Sequence, residues 1–275
     1  MPERARERVV LGSVSASAKI IQSAVREGAQ GLNFAMTDSM IDVLLELRNR
    51  NFDAPLQLYP MIPDVQKYVS IQLKQGTMGV LTNALGSLGW YKGASALVRG
   101  SMSVLTMNPL RAFPILVDLE LSRLRKAMPQ HATLHSVMLH EAVTDLALAL
   151  DAGDILKTYI NHISEKHGTS PGFVTRNFPA FMRFCHRHKI QPNKITIMTP
   201  FNPLGFQMTP SRESCEETLH ACLDCDVVGI SIFAGGEIAI DDAMVYLKTL
   251  DLKSICVGVS TESHARETFR RLREL

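Results

Sequence analysis

The chain has 275 residues, 46% hydrophobic and 20% charged, with 29 basic against 27 acidic side chains and a formal net charge of +2. That composition builds a packed, enzyme-sized body and excludes an extended disordered chain. So small a net charge gives no overall field for nucleic acid or an anionic membrane, and neither is expected as a partner.

In chain order, the start MPERARERVV is charged and lacks the apolar core of a secretory leader. Near-apolar stretches such as 137–150 are interrupted by His140, Glu141 and Asp145, short of the ~20 residues of a bilayer span, so a cytoplasmic protein is expected. Strand-like runs follow at 8–14, 31–36, 56–61, 79–84, 134–140, 195–201, 227–233 and 254–260. Runs with helical spacing stand between them at 16–27, 39–50, 64–75, 212–223, 240–249 and 261–273. Thr37 and Asp38 open the second helix and Ser211 opens the one at 212; Gly28, Asn49 and Gly76 close others. Eight strands alternating with helices predict a single α/β domain over 1–275, a (β/α)8 TIM barrel. A doubly wound open sheet is the alternative, but GSVSAS follows the first strand where a Gly-x-Gly-x-x-Gly turn would be needed.

Two stretches exceed a minimal strand-helix unit. Residues 85–131 carry helical runs near 88–99 and 111–127 and read as a helical insertion, a lid or an oligomer contact, with the single Trp90 inside it. A homo-oligomer is expected on that ground. Residues 143–190 carry helical runs at 143–163 and 176–188 around HGTSPGF. The five cysteines, an odd and sparse set, are expected to be free thiols in a reducing compartment. Cys215, Cys222 and Cys225 are read as core thiols on one helix face rather than zinc ligands, because no second short pair exists.

In such a barrel the chemistry sits at the carboxyl ends of the strands. Those ends offer Asn33, Asn83 and Asn202 to orient a substrate, and Arg212 in the loop NPLGFQMTPSRESCEE to meet its charge. The fifth strand ends in HEAVTD, which makes Glu141 or His140 the candidate proton carrier, the alternative being a structural use in which they bond neighbouring backbone or an arginine such as Arg176 or Arg212. No cofactor is expected; a divalent metal held by His140 and Glu141 with Asp145 is the alternative use of the same residues. In FAGGEIAIDDAMVYL two glycines stand between a buried strand and a helix, where bare backbone N–H groups and a helix start can approach an anion. Gly235 and Gly236, with Ser260 and Thr261 of GVSTES, are therefore the candidate phosphate-binding residues.

The stretch 227–264 resembles the final quarter of phosphate-binding, aldolase-like barrels. That likeness implies a small anionic, phosphorylated metabolite handled by acid–base chemistry of a lyase, aldolase-like or isomerase kind. A Schiff-base enzyme is not expected, since no predicted strand carries an internal lysine. SAVREGAQGLNFAMTDSM and VGVSTESHARETFRRL also resemble parts of the aldo-keto reductase barrels. Asn33 or Ala35 stands near that family's aspartate, no tyrosine follows before Tyr59, and LQLYPMI has no lysine. The second resemblance therefore implies a barrel without hydride chemistry, a non-catalytic ligand-binding or oligomeric protein.

Overall fold

The computed structural model describes residues 13–63 and 109–274. The expected strand at 79–84, the helical runs at 64–75 and 88–99, and Asn83, Gly76 and Trp90 lie outside these, as does most of the expected first strand. Its described end, Ser13 and Val14, already belongs to a helix: the Ser13 hydroxyl caps α1 (Val14–Arg26) by accepting from Ala16 N–H.

After α1, Gly28 turns the chain at φ 106° into β1 (Gly31–Ala35). The Thr37 hydroxyl accepts from Met40 N–H at 3.2 Å and opens α2 (Asp38–Asn49), as its sequence position predicts. Asn49 is still helical there, and Asn51 takes the left-handed turn instead, at φ 53°. β2 (Leu56–Ile62), α3 (Pro109–Ala127), β3 (Ala132–Leu134) and β4 (Ser136–Leu139) follow. β3 and β4 are one run broken at His135, whose N–H donates to Leu58 O.

The expected helix over 143–163 is two helices, α4 (Glu141–Ala149) and α5 (Gly153–Asn161), split where Asp151 adopts φ 50°. A π-helical turn, His162–His167, extends α5 and ends at Gly168 with φ 62°. Then come β5 (Ser170–Val174), α6 (Phe178–His188), β6 (Thr196–Pro200), α7 (Arg212–His220), β7 (Asp226–Ile230), α8 (Ile240–Leu247), β8 (Ser254–Ile255) and α9 (Glu262–Leu272).

Every pairing is parallel, in the order β1-β2-β4-β5-β6-β7-β8, with β3 alongside β2. Alternation along the strands separates two apolar faces. Val137, Leu139, Phe173, Ile197 and Val227 face the helices, packing with Tyr159, Phe178 and Phe181. Met138, Val174, Met198 and Val228 form a separate cluster on the other face, joined by Tyr59, Met61, Ile230 and Cys256. Ile20 and Ala24 of α1 pack with Ala265 and Phe269 of α9, drawing the two ends of the sheet toward each other. A parallel sheet curled this way, helices outside and a second apolar cluster within, is a half-barrel consistent with the (β/α)8 fold.

β5 was not foreseen; SPGFV reads as a loop because of Pro171 and Gly172. The glycine has a packing reason, since a Cβ there would stand 2.2 Å from Met138 Sδ and 2.6 Å from Ser136 Oγ. The described part of the 85–131 insertion is α3, which buries Val117, Leu121 and Leu124 in the main core. Cys185 and Cys215 are buried free thiols and Cys256 is free, but Cys222 and Cys225 are joined in a disulfide, which corrects the expectation of free thiols throughout. Successive tight turns, Cys222 N–H to Leu219 O and Cys225 N–H to Cys222 O, bring their Cα atoms to 5.6 Å. Among the described residues no helix is long and apolar enough to cross a membrane.

Candidate functional site

The inner face is closed at the amino ends of the strands by a polar chain. Ser136 Oγ donates to Ser170 O, Ser170 Oγ lies 3.4 Å from Thr196 Oγ1, and Thr196 Oγ1 donates to Asp226 Oδ2 at 2.7 Å. Above it the Tyr59 hydroxyl donates to Gln57 Oε1 at 3.0 Å, its ring 4.9 Å from that of His135. Burial raises the Tyr59 phenol above its ordinary value, helped by the charges of Asp226 and Cys256, so it stays a neutral donor. Asn33 lies beside it on β1, its Nδ2 donating to Tyr59 O at 2.9 Å.

At the carboxyl ends, His140 is the N-cap of α4. Ala142 N–H donates to His140 Nδ1 at 3.1 Å, which leaves the ring proton on Nε2. Its backbone N–H is tied to Ile62 O at 2.7 Å, locking β4 to β2 at the rim. The ring is thus a fixed hydrogen-bond donor, with its lone pair spent on the helix.

Glu141 pairs with Arg176 just beyond β5. Asp145, one turn further along α4, accepts from Thr175 Oγ1 at 2.6 Å and Arg176 N–H at 3.3 Å. Burial raises the Asp145 carboxyl above its usual range, opposed by these bonds and assisted by the neighbouring Glu141 charge. His140, Glu141 and Asp145 therefore share one rim but do not converge as metal ligands: the first is committed to a backbone amide, the others to Arg176 and Thr175.

Asn202 is fully buried, its Nδ2 donating to Phe206 O at 2.9 Å and its Oδ1 accepting from Phe206 N–H at 2.8 Å. Arg212 donates to Pro203 O at 2.8 Å and lies 3.3 Å from Glu213 and 3.5 Å from Glu216. Both side chains hold the 202–212 loop rather than present a group to the mouth.

Gly235 and Gly236 sit in a short turn at φ 75° and 98°. Gly236 N–H donates to Phe233 O at 2.7 Å, Ala234 N–H to Ser231 O and Ile238 N–H to Phe233 O, so these amides serve the turn itself. α8 starts four residues beyond Gly236, at Ile240. Thr261 Oγ1 accepts from His264 N–H as the cap of α9, and Ser260 Oγ lies 3.4 Å from His264 Nδ1. β7 and β8 are neighbours, so the two loops flank each other, and Glu237, Asp241, Asp242 and Glu262 accompany them.

A cleft of about 880 Å³ opens between β1 and β8 and reaches Tyr59, Met198, Val228 and Cys256.

The residues missed in the sequence are Tyr59 and Thr175; Arg176, expected as a possible partner of the strand-end His or Glu, is the one that pairs with Glu141. Tyr59 is read only as a strand-end residue, although its period-2 spacing with Gln57 and Met61 places it on the inner face.

No protein-family model matches the chain, and no curated protein matches it. Among solved structures it is similar to one described as a putative aldo-keto reductase from Pseudomonas aeruginosa, with TM-score 0.59 at 12% identity, covering 97% of this chain and 87% of that one. At that identity the likeness carries the barrel architecture and stops there.

Proposed function

We propose that this barrel binds a small carbonyl- or hydroxyl-bearing metabolite at its carboxyl-end mouth, with His140 Nε2–H as the donor to the ligand's oxygen. The observation that carries the reading is the Ala142 N–H to His140 Nδ1 bond, which fixes both tautomer and orientation. A donor held in place before the ligand arrives stabilises charge developing on a carbonyl oxygen without reorganising. Glu141 and Asp145 supply carboxylates on the same rim, so acid–base chemistry next to a carbonyl, of a lyase, aldolase-like or isomerase kind, is the reaction class in view.

The aldo-keto reductase likeness brings a nicotinamide dinucleotide into consideration, and the residues present do not fit one. Three amides of the β7 turn are spent on backbone oxygens. Four carboxylates accompany the two loops, while Arg271 is paired with Asp241 and Arg266 lies 3.5 Å from Glu262. A diphosphate would meet like charge there. The same features weigh against a phosphorylated metabolite at Gly235, Gly236, Ser260 and Thr261. An anionic substrate at Arg176 would share the guanidinium with Glu141 and meet its like charge.

A ligand-binding barrel without catalysis is the second reading, favoured by the Glu141–Arg176 pair, which engages the Glu141 carboxylate within the protein itself. Self-association belongs to either reading, supported by the exposed Leu146 and Leu150 beside α4, and light scattering tests it.

Melting curves with small ketones, aldehydes and hydroxy acids, each with and without nicotinamide nucleotides, test the proposal. A carbonyl compound is expected to raise the melting temperature in the parent and not in His140→Ala, with nucleotides inert. Stabilisation by a nucleotide alone would overturn the nucleotide-free part, and an unchanged response in His140→Ala would remove the donor. Proton exchange next to the carbonyl in deuterated water, lost in Glu141→Gln, separates catalysis from binding.

A further inference from the structure

At the amino-end side of the barrel, away from the mouth, Asp118 of α3 meets His162 and His167 of the π turn. On an α-helix, residues five apart point roughly 140° away from each other. The wider i→i+5 winding of the π turn instead brings both imidazoles to one side, with their rings 5.3 Å apart and edge to face. Both Nε2 atoms lie 2.8 Å from Asp118 Oδ1. The three ligand-type atoms fall within 4.8 Å of one another, the one such group among the described residues. The His167 side chain is only 6% exposed and that of His162 only 16%, so the group is enclosed rather than scattered on the surface.

We propose that Asp118, His162 and His167 form a binding site for a divalent d-block cation of the zinc class. Two imidazole nitrogens and one carboxylate oxygen, with water in the fourth place, make a tetrahedral set of that ion's preferred ligands. Calcium and magnesium require more oxygen than one carboxylate offers. In the metal-free arrangement each Nε2–H points at Asp118 Oδ1, which keeps the ligands gathered. On binding, each neutral imidazole moves its proton from Nε2 to Nδ1 through solvent, freeing the Nε2 lone pair. Lys166 Nζ, 2.6 Å from Asp118 Oδ2, stays on the carboxylate's outer oxygen and orients it. Arg125, 3.2 Å from His167 Nδ1, is the opposing group and must swing away from the new Nδ1–H. The π turn leads through Gly168 and Thr169 into β5, and Thr169 Oγ1 lies 3.0 Å from Leu134 O and 2.8 Å from His135 O. A bound ion would thus clamp α3 to the entry of β5.

The test strips the full chain with a chelator and titrates it with Zn2+ by calorimetry and with Co2+ by visible absorption. One Zn2+ per chain, tetrahedral Co2+ bands and a raised melting temperature are expected. His162→Gln, His167→Gln and Asp118→Asn should each weaken Zn2+ at least tenfold, while C222S/C225S, which removes the Cys-x-x-Cys pair that could take zinc once its disulfide is reduced, leaves it unchanged. Asp118→Asn preserves the side chain's shape and carries the test if a histidine variant does not fold. Absence of a saturable one-to-one event, or Zn2+ binding equal to the parent in Asp118→Asn and either folded histidine variant, would overturn the site.

Discussion

Asn202→Ala separates a loop-holding side chain from a substrate-orienting one. In the parent the amide closes a ring with both backbone polar groups of Phe206, in a loop where Gly205 and Gln207 take φ 69° and 62°. Alanine removes two hydrogen bonds, each contributing about 0.5–1.5 kcal/mol net, so the loss is about 1–3 kcal/mol. For a chain of this size about 2 kcal/mol corresponds to a fall of roughly 4–8 °C in melting temperature. Urea unfolding is the assay: the midpoint should fall while the slope stays constant, since the surface exposed on unfolding is unchanged. Asn202→Asp should also destabilise, because it keeps the acceptor for Phe206 N–H but turns a carboxylate oxygen toward Phe206 O. A loss below about 0.5 kcal/mol in Asn202→Ala, the low end of a single bond's contribution, would refute the loop-holding argument.

Gly172→Ala should cost about 1–3 kcal/mol by overpacking against Met138 and Ser136, and Met138→Ala in the same chain should recover part of it in thermal melts. Thr37→Ala removes the cap of α2 and should cost about 1 kcal/mol, read by denaturant midpoint. Burial pushes the Cys185 thiol up to about 12, and burial with the Glu216 charge pushes Cys215 up to about 11. Neither should react with a disulfide reagent at pH 8 until the chain is unfolded. Because both values lie above the unfolded thiol's ~8.5, their stabilising contribution is intact below that pH and is lost as pH rises toward 11–12. Unfolding midpoints rising over that alkaline interval would contradict the sign.

The strands that alternate β-branched and apolar residues, such as 196–200 and 226–230, were legible because both faces are buried and turn signals bound them. The caps at Thr37 and Ser211 were legible because a hydroxyl before a helical run has one local use. β5 was not, because Gly172 is there for space beside Met138, a tertiary reason that local propensity reads as a turn. The break at Asp151 was equally hidden, since residues 143–163 keep helical spacing through it. At the rim, sequence brought out His140 and Glu141 and named backbone or an arginine such as Arg176 among their possible partners; that Glu141 takes Arg176, 35 residues away, while His140 takes the Ala142 amide and caps a helix is decided by the folded geometry. The glycines 235 and 236 lie on exposed backbone, as their pattern suggested; that Phe233 O takes the Gly236 amide is a matter of folded geometry. The Asp118 cluster escaped notice because two histidines five apart look divergent on any α-helical projection.

Met61, Met138 and Met198 all belong to the inner-face cluster, with Gly172 leaving room beside one of them. Thioether chains are unbranched and turn about three bonds, so their tips can be rearranged at little cost where valine or isoleucine would be fixed. A wall lined this way can yield at its surface while its strands stand still, so the inner face is softer than the branched, helix-facing side of the same sheet.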